Sequence, residues 1–561
     1  MILSVRIVNM YALNTTNKPS TIRMRTASKY ISLDCEWAPD GALLTVGICP
    51  EENTMAFTVE ENIQETITPW VREAKFFVAH NAFGDLDYLV KMGLAKPEWV
   101  DGTKVIDTLL LARMENENRA KGGYRLDSLA KDFFGAEDWK NETEAISKDN
   151  AALWPSALRQ TRCRFDTIWC AAIAEKLAKS TPAPLRRFTT QIASSLHRIS
   201  LAGACVDLKV FEELGAELYQ QVEAGKHRLQ AIAFENGVES FTPTKDADIR
   251  ALIYDKLKFP VTKTTKVGGK PACDKFTLQK FDHPVVKTLI EFNKADKQYS
   301  TFFGKTGSKR QPLKQMISPF TEMEPEDTRS LGWLPFHINP LGARTGRRAS
   351  SSPNSQNWAK PVRKIIVSRF PGGLIGGFDY KSLEPFCLAW LAQDEKLYDY
   401  FATGGGYLKI AEELLHKKVE KGTKDYVIVK SVFLATTYNQ LAYTLANTLV
   451  DKLDTRLSND WETHVDKCGV LINRLLAMFP GVRRYMQARR SEVERTGQVV
   501  SATGRIRHLP YPKRSDFATE RLWKKAKKRV ENQAINYPVQ SFAADVTGAA
   551  LIDVEKMVCA K

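Results

Sequence analysis

The sequence predicts a multidomain protein of mixed α/β and α+β structure. Its 561 residues suffice for three or four domains of about 150 residues each. Strand and helix patterns alternate before the proline-interrupted segment KSTPAPLRRF (179–188), and long helical patterns follow over residues 190–232. From Gly372 onward, strand and helix patterns alternate again. The hydrophobic fraction of 43% is enough for a substantial core in each part.

The composition favours a polyanionic partner. The formal net charge is +16 and the isoelectric point is about 9.2, which is typical of nucleic-acid-binding proteins, although a basic enzyme of another class fits the charge equally well. Nine cysteines are scattered without a Cys-x-x-Cys pair, which argues against a zinc site or a redox dithiol. Isolated thiols are typical of a reducing compartment.

The N-terminal segment MILSVRIVNMYALNTTNK has no sustained apolar core and no cleavage-like site, so we expect no signal peptide. No apolar run approaches the length of a membrane span. The sequence therefore predicts a soluble protein of the cytoplasm that does not contact a membrane.

Alternating apolar and polar residues in KYISLDCEWAP predict a strand. Asp34 and Glu36 are two residues apart, so they project from the same face of this strand. Adjacent carboxylates repel each other unless a cation lies between them, and Mg²⁺ or Mn²⁺ accepts such oxygen ligands. For this pair alone, a solvated strand face is the simpler alternative.

Two later segments supply further carboxylates. FFVAHNAFGDLDYL predicts a strand, a turn with Asn81 and a helix start with Asp85, and SALRQTRCRFDTIWCAAIAEKL predicts a helix that carries Asp166. Together these motifs resemble the DEDD 3′→5′ exonuclease domain of family A DNA polymerases, which has a ribonuclease H-like fold. The resemblance implies that Asp34, Glu36, Asp85 and Asp166 ligate two Mg²⁺ or Mn²⁺ ions for attack of a water on the terminal phosphodiester.

One position departs from the family pattern. The family places a tyrosine four residues before the last aspartate to orient the attacking water, and this chain has Arg162 there. The histidine of a related subfamily, five residues before that aspartate, corresponds to Thr161. The four metal ligands are thus present, whereas the residue that orients the water is not.

The segment GARTGRRASSSPNSQNWAKPVRK combines Arg and Lys with Ser, Asn and Gln. This chemistry suits phosphate and sugar contacts along a nucleic-acid backbone, although charge alone also fits a solvated loop. The segment resembles the family A segment that grips the minor groove of the primer-template. The resemblance implies DNA contacts by Thr345, Arg347, Asn354, Gln356 and Asn357.

GGLIGGFDYKSLEPFCLAWLA predicts a buried strand, with Asp379 at its end, and then a helix that opens near Pro385. It resembles motif A of family A polymerases. The resemblance implies that Asp379 ligates the two catalytic Mg²⁺ ions. It also implies that Glu384 packs against the sugar and selects deoxynucleotides. The arginine that closes the family motif is Phe386 here.

KDYVIVKSVFLATTYNQLAYTL predicts a helix on which Lys430 and Tyr438 share a face. A lysine on a helix is usually just solvated, but the Lys-x7-Tyr spacing resembles motif B of the polymerase fingers. The resemblance implies that Lys430 meets the triphosphate of the incoming dNTP and that Tyr438 stacks near the nascent base pair. The family's arginine four residues before the lysine is Tyr426 here, and Lys424 is the candidate substitute.

Two C-terminal segments complete the resemblance. LLAMFPGVRRYMQARRSEVERTGQVVSATGRIRHLP resembles the remaining fingers, with a strand pair around the turn at 504–507 and a DNA contact at Arg505. WKKAKKRVENQAINYPVQSFAADVTGAALIDVEK resembles the helix that touches the template, and implies that Asn536 and Gln540 read the minor groove. We expect its basic run, 524–529, to reach phosphates.

The 561 residues contain no His-Asp-Glu triplet, and in the family this triplet carries the second catalytic carboxylate. Two-metal nucleotidyl transfer needs carboxylates that bridge both ions, so Asp379 alone predicts very weak synthesis or none, and a palm sheet with an open edge. We expect a second polypeptide to supply this hairpin. The alternatives are an exonuclease that uses its polymerase part to bind DNA, and a non-catalytic primer-template-binding protein or truncated gene product.

The resemblance also implies the architecture. We expect an exonuclease domain over 1–185 and then a C-terminally incomplete right-hand polymerase. Its thumb spans 186–330, its palm 331–395, its fingers 396–535, and the start of a C-terminal palm element 536–561. Expected partners are primer-template DNA, dNTPs, the second polypeptide and a processivity factor. The compact size resembles bacteriophage members of the family, which implies viral DNA replication in the cytoplasm of a bacterial host.

Overall fold

The structure is a computed structural model that describes residues 30–50, 56–148, 150–265, 268–279, 281–304, 311–320, 327–453 and 455–559. The expectation of no signal peptide concerns N-terminal residues that lie outside these ranges. No helix in the described ranges combines the length and the apolar character that a membrane span requires. The eight cysteines whose side chains are described are all free, and seven of them are buried.

The N-terminal domain is built on a five-stranded sheet of order β3-β2-β1-β4-β5. The β1–β2 and β2–β3 pairs are antiparallel, and the β1–β4 and β4–β5 pairs are parallel. The strands are β1 (Tyr30–Trp37), β2 (Leu43–Pro50), β3 (Phe57–Val59), β4 (Phe76–Ala79) and β5 (Val105–Asp107). The helices are α1 (Ile63–Glu73), α2 (Phe83–Lys91), α3 (Thr108–Glu115), α4 (Leu126–Phe134), α5 (Asn141–Ile146) and α6 (Ser156–Ala178).

Helix α6 packs closely against β1 and β2 because Gly47 leaves room for it. A Cβ atom at Gly47 would lie 2.7 Å from the carbonyl oxygen of Cys163 on α6. Ile31, Leu33 and Phe77 of the sheet are almost completely buried. The predicted alternation of strands and helices before residue 179 is thus confirmed, and α6 is fixed over the strand that carries Asp34 and Glu36.

Helices dominate the middle of the chain, and three of them are long. The helices are α7 (Ala183–Ala202), α8 (Leu208–Glu235), α9 (Asp246–Arg250), α10 (Lys275–Leu278) and α11 (Pro284–Phe302). The prediction of helix over residues 190–232 misses one short strand, β6 (Ala204–Asp207), between α7 and α8. The break falls at Gly203, whose φ of 60° lies in the region that favours glycine.

Strand β6 belongs to a second sheet, of order β11-β6-β8-β7, in which all neighbours are antiparallel. Its other strands are β7 (Ser318–Pro319), β8 (Leu331–Leu334) and β11 (Ile366–Val367). A separate antiparallel pair is formed by β9 (His337–Asn339) and β10 (Ala349–Ser351), and the short helix α12 (Lys360–Arg363) precedes β11.

The buried strand predicted over the motif A segment is wrong. Residues 372–380 form neither helix nor strand and are exposed; the exposed fractions of Leu374 and Phe378 are 95% and 99%. A strand is stable only when neighbouring backbone pairs with it, and no strand of the described chain pairs with this segment. Its apolar side chains therefore have no sheet to pack into.

The C-terminal region is mainly helical. Its elements are α13 (Leu383–Ala392), α14 (Glu395–Ala402), α15 (Gly406–Leu415), α16 (Lys424–Thr437), α17 (Ala442–Leu453), α18 (Trp461–Met478), α19 (Pro480–Thr496), β12 (Gln498–Val500), β13 (Ile506–His508) and α20 (Glu520–Cys559). The antiparallel pair β12–β13 confirms the strand pair predicted around residues 504–507. The single helix predicted over residues 424–445 is divided, because Asn439 adopts a left-handed conformation with a φ of 53°.

Buried charge pairs join the N-terminal domain to the C-terminal region. Glu117, just after α3, accepts hydrogen bonds from Nη1 of Arg507 at 2.5 Å and from the backbone N–H of His508 at 2.8 Å. On α20, Asp545 pairs with Arg505 at 3.0 Å, and the same Arg505 side chain donates to the Thr189 hydroxyl of α7 at 3.0 Å. The ion pair between Glu117 and Arg507 and the hydrogen bond from Arg505 to Thr189 therefore connect the C-terminal region to earlier parts of the chain.

We expect Asp545→Ala to lower the free energy of unfolding by about 3–5 kcal/mol, because it leaves a buried guanidinium unpaired. The side chains of Arg505 and Asp545 are only 7% and 3% exposed. Denaturant unfolding followed by circular dichroism measures the change. The matched control is Lys524→Ala, which breaks a pair with Glu520 whose side chains are 68% and 63% exposed. That loss should be much smaller, because an exposed ion pair contributes little to stability, and equal losses would contradict the prediction.

Candidate active sites

Three of the four predicted carboxylates of the N-terminal domain come together between β1 and α6. Asp34 and Glu36 project from β1 and Asp166 lies on α6. One oxygen from each of the three carboxylates lies within 4.8 Å of the other two. This geometry follows from the two-residue period of the strand and from the close packing of α6 at Gly47.

The fourth carboxylate, Asp85, lies in the first turn of α2. Its Oδ1 atom accepts a hydrogen bond from the indole Nε1 of Trp37 at 2.9 Å. Burial raises the pKa of Asp85, and the negative charge of Asp85 contributes to a raised pKa at Asp34. Asp85 therefore acts on the same cluster, although it stands outside the closest group of three.

Burial and mutual repulsion make this cluster costly when it is fully ionised. Burial raises the pKa of Asp34 well above its usual range, and the charges of Asp166, Glu36 and Asp85 raise it further. Burial likewise raises the pKa of Glu36 to about 7, against the opposing effect of Arg162. Carboxylate oxygens at this spacing are suitable ligands for Mg²⁺ or Mn²⁺, so the donor set fits the divalent ions that the sequence predicts.

Two basic side chains also reach the cluster. The ammonium of Lys140 lies 2.8 Å from Oδ1 and 3.0 Å from Oδ2 of Asp166, and Nε of Arg162 lies 3.4 Å from Oε1 of Glu36. The Arg162 guanidinium is held over the ring of Trp154, 4.5 Å from its centroid. The sequence indicated Arg162 but not Lys140, because Lys140 lies between α4 and α5 in a segment without a recognisable motif.

In the C-terminal region, one carboxylate joins three of the predicted segments. Glu384 lies in the first turn of α13, and its Oε2 accepts a hydrogen bond from the hydroxyl of Tyr438 at 2.6 Å. Its Oε1 accepts from Nη2 of Arg347. A small cavity of about 20 Å³ lies beside this group, and its lining includes Glu384, Tyr438, Asn536 and Gln540. The structure thus places Glu384 beside Asn536 and Gln540, which follow it by more than a hundred positions in the sequence.

The predicted phosphate ligands lie along α16. Lys430 is exposed, and its ammonium lies 5.5 Å from the centroid of the Tyr407 ring. Lys424 is exposed at the first position of the helix. Asp379 is exposed in the segment without regular structure, and no hydrogen bond or ion pair from the described residues holds its carboxylate. The structure therefore fixes Glu384 against Tyr438, whereas it leaves Asp379 without a defined support.

The predicted DNA-contact residues fall into two groups. Arg347, Asn354, Gln356 and Asn357 are exposed and Thr345 is half-buried. Asn354 and Gln356 also fix the loop after β10: Oδ1 of Asn354 accepts from the Ser350 hydroxyl at 3.1 Å, and Oε1 of Gln356 accepts from the Ser350 N–H at 3.3 Å. On α20, Asn536 and Gln540 are half-buried beside the Glu384 cavity.

Arg505 differs from the other predicted DNA contacts. It is 6% exposed, and Asp545 and Thr189 already accept hydrogen bonds from its guanidinium. Arg505 thus takes part in a structural ion pair with Asp545, and its predicted DNA contact stays a prediction. The sequence pattern of the turn did not reveal its buried partner, which lies forty residues further along the chain.

Sequence reasoning missed Asn439, which follows Tyr438 and is held by side-chain hydrogen bonds. Asn439 is 7% exposed. Its amide donates to Oδ1 of Asn532 at 2.8 Å, and its carbonyl oxygen accepts from Nη2 of Arg490 at 2.8 Å. The available signal was an asparagine two residues after the helix end, since Asn tolerates the left-handed conformation better than most residues.

Comparison with known proteins identifies the family. The model of DNA polymerase family A matches residues 209–561. The chain therefore belongs to DNA polymerase family A, as its C-terminal motifs and the convergence on Glu384 indicated.

Among related proteins, DNA polymerase I of Geobacillus stearothermophilus is 27% identical over 370 residues, which are 64% of this chain and 38% of the relative. The thermostable DNA polymerase I of Thermus aquaticus is 24% identical over 380 residues, 65% of this chain and 40% of the relative. The matches thus span about two fifths of these relatives.

The fold is also similar to a solved structure, the POL domain of Pol1 from M. smegmatis in complex with DNA primer-template and dNTP. The TM-score is 0.69 at 20% sequence identity, and the match covers 95% of this chain and 86% of that chain. This likeness confirms the predicted mixed α/β fold with a polymerase-type C-terminal region.

We expect the metal-free protein to lose stability as the pH rises through about 7. The pKa of Glu36 is about 7 in the folded state against an ordinary value of 4.5, so the folded state binds the proton more tightly than the unfolded state. The resulting stabilisation is fully present below about pH 4.5 and is lost as the pH rises through about 7. Thermal melting in EDTA over this range measures the decline.

The variant Glu36→Gln cannot ionise, so its melting temperature should fall less steeply with pH than that of the parent protein. Glu175→Gln, at a carboxylate that hydrogen-bonds Tyr30 outside the cluster, serves as the control and should follow the parent. Parallel curves for the parent and Glu36→Gln would show that Glu36 is not the titrating group.

Proposed function

We propose that this protein is a template-directed DNA polymerase, which adds a deoxynucleoside monophosphate to a primer 3′-hydroxyl and releases pyrophosphate. The observation that carries the proposal is the contact of Glu384 with both Tyr438 and Arg347. It joins the motif A helix, the end of the motif B helix and the basic segment at residue 347 in a chain of family A. The net charge of +16 supports a nucleic-acid partner.

Each residue of this group has a proposed task. The side chain of Glu384 is held between Tyr438 and Arg347. In the proposed role, it would clash with the 2′-hydroxyl of a ribonucleotide and so selects deoxynucleotides. The ring of Tyr438 stacks at the nascent base pair. Lys430, exposed on the same helix, meets the triphosphate as a point charge. Asn536 and Gln540, beside the same cavity, contact the primer-template minor groove.

Asp379 is the proposed ligand of the catalytic Mg²⁺ ions, which when bound neutralise charge on the transferred phosphoryl group. A second carboxylate is needed, and we propose that it comes from a His-Asp-Glu segment outside these 561 residues. The exposed apolar segment 372–380 supports this proposal, because added strands would cover Leu374 and Phe378 and hold Asp379 in place. The second polypeptide, the processivity factor and the role in phage replication stay predictions.

The binding step can be tested on the chain itself. Fluorescence anisotropy with a labelled primer-template and a dideoxy-terminated primer should show tighter DNA binding when the complementary dNTP is present. Lys430→Ala should reduce this dNTP-dependent gain by about tenfold or more, because a charge-assisted contact is lost, and should leave binding without dNTP almost unchanged.

Two variants sharpen this test. Lys421→Ala removes a neighbouring exposed lysine and should behave as the parent protein. Lys424→Ala decides whether the lysine at the start of α16 contributes to triphosphate binding. A parent protein that binds DNA equally well with matched, mismatched and no dNTP would contradict the polymerase proposal.

A 3′→5′ exonuclease activity is the second candidate function, and the carboxylate cluster of the N-terminal domain favours it. We propose that Asp34, Glu36, Asp85 and Asp166 hold two Mg²⁺ or Mn²⁺ ions there. When bound, these ions lower the pKa of a water and stabilise the phosphodiester oxygens. The chain itself supplies the ligand geometry and excludes bulk solvent, since Asp166 is 4% exposed.

Asp166→Asn should abolish Mg²⁺-dependent shortening of a 5′-labelled single strand from its 3′ end. The substitution removes a metal-ligand charge but keeps the shape of the side chain. Asp379→Ala is the control, because it affects only the proposed polymerase site and should retain nuclease activity. Equal activity of Asp166→Asn and the parent would assign the nuclease to a contaminant and exclude this candidate function.

A further inference from the structure

Lys140 occupies an unusual position for a residue beside a proposed metal site. Its side chain is 13% exposed, and that of Asp166 is 6% exposed. The ammonium contacts both oxygens of Asp166, at 2.8 and 3.0 Å. Oδ1 of Asp166 also accepts a hydrogen bond from the indole of Trp139 at 2.8 Å. Asp166 is thus already neutralised and hydrogen-bonded by this chain's own groups.

We propose that Lys140 is a built-in counter-cation of the carboxylate cluster, and that a divalent ion binds Asp166 only after this ammonium has moved away. The inference rests on the proposed metal site of the N-terminal domain, and it concerns metal binding rather than nuclease activity. On this proposal, the N-terminal site is closed to a divalent ion while Lys140 contacts Asp166, and it opens when Lys140 moves away.

The charges of the cluster support this competition. A divalent ion binds carboxylate oxygens at about 2.0–2.6 Å, whereas the ammonium already lies within hydrogen-bond distance of the same oxygens. If the Lys140 ammonium and a divalent ion both contacted Asp166, they would repel each other at short range in a buried site. Arg162 adds a further positive charge, 4.0 Å from Oδ2 of Asp166 and 3.4 Å from Glu36.

Lys140 and Arg162 both contact the same short element, the six-residue helix α5. Lys140 is the residue at its N-terminus, where Oδ1 of Asp138 accepts from the backbone N–H of Lys140 at 2.9 Å. Thr143 of the same helix accepts a hydrogen bond from Nη1 of Arg162 at 2.7 Å. A shift of α5 would therefore withdraw Lys140 and release Arg162 together, which couples opening of the site to a single element.

Metal binding tests the inference directly. Free Mn²⁺ is measured by electron paramagnetic resonance during titration of proteins that all carry Asp379→Ala, which removes the proposed polymerase ligand. In this background, Lys140→Gln should bind Mn²⁺ at the N-terminal site about tenfold more tightly or better. The matched control is Lys131→Gln, which removes one exposed lysine of α4 in the same domain and should bind Mn²⁺ as the background protein does.

The outcomes separate the inference from the metal site on which it rests. If Lys140→Gln binds no more tightly than the background protein while adding Asp166→Asn abolishes binding, the metal site stands and the counter-cation role of Lys140 is overturned. If no form binds Mn²⁺, both are overturned. Because Lys140→Gln can lower stability, thermal melting is a second measurement: Mn²⁺ should raise its melting temperature more than that of the background protein, and an equal or smaller rise counts against the inference.

Discussion

The constraint on which the N-terminal domain depends is the burial of several carboxylates against one strand. Burial and the neighbouring carboxylates raise the pKa of Asp34 and of Glu36, so ionisation of the cluster is favoured by a compensating cation. The chain meets this constraint with Lys140 and Arg162, and the same carboxylates have the chemistry of a divalent-metal site. If the proposed metal site is right, metal binding replaces this internal neutralisation, and α5, which begins next to Lys140, is the proposed element that moves.

A different constraint governs the C-terminal region. There, the backbone of residues 372–380 is not paired with any described strand. The helical half of motif A is well supported, since Glu384 contacts Tyr438 and Arg347. The strand half is exposed, and Asp379 stands at the end of it. The residues proposed to contact the nucleotide are therefore held by packing of helices, whereas Asp379, the proposed metal ligand, has no paired strand beside it in the described part of the chain.

Local patterns predicted most elements because their signals lie within a few residues. The period of two around Asp34 predicted β1, and the spacing of Asp166 among apolar residues predicted α6. The features that local patterns missed depend on partners far away in the sequence. The apolar run at 372–380 has strand character but no neighbour, and Arg505 meets a buried Asp545 that no local pattern reveals. The sequence did not indicate Lys140 for the same reason, because its partner, Asp166, lies on α6.

The contacts of Glu117 with Arg507 and His508 have a consequence for any attempt to divide this protein. They cross from the N-terminal half to the C-terminal half, and so do those of Arg198 on α7 with Glu555 on α20. Proteolytic fragments, or halves produced separately, would each expose unpaired charged side chains at the surface where the intact protein has ion pairs. The two candidate active sites therefore lie in parts of the chain that contact each other, and separating these parts would expose charged groups on both.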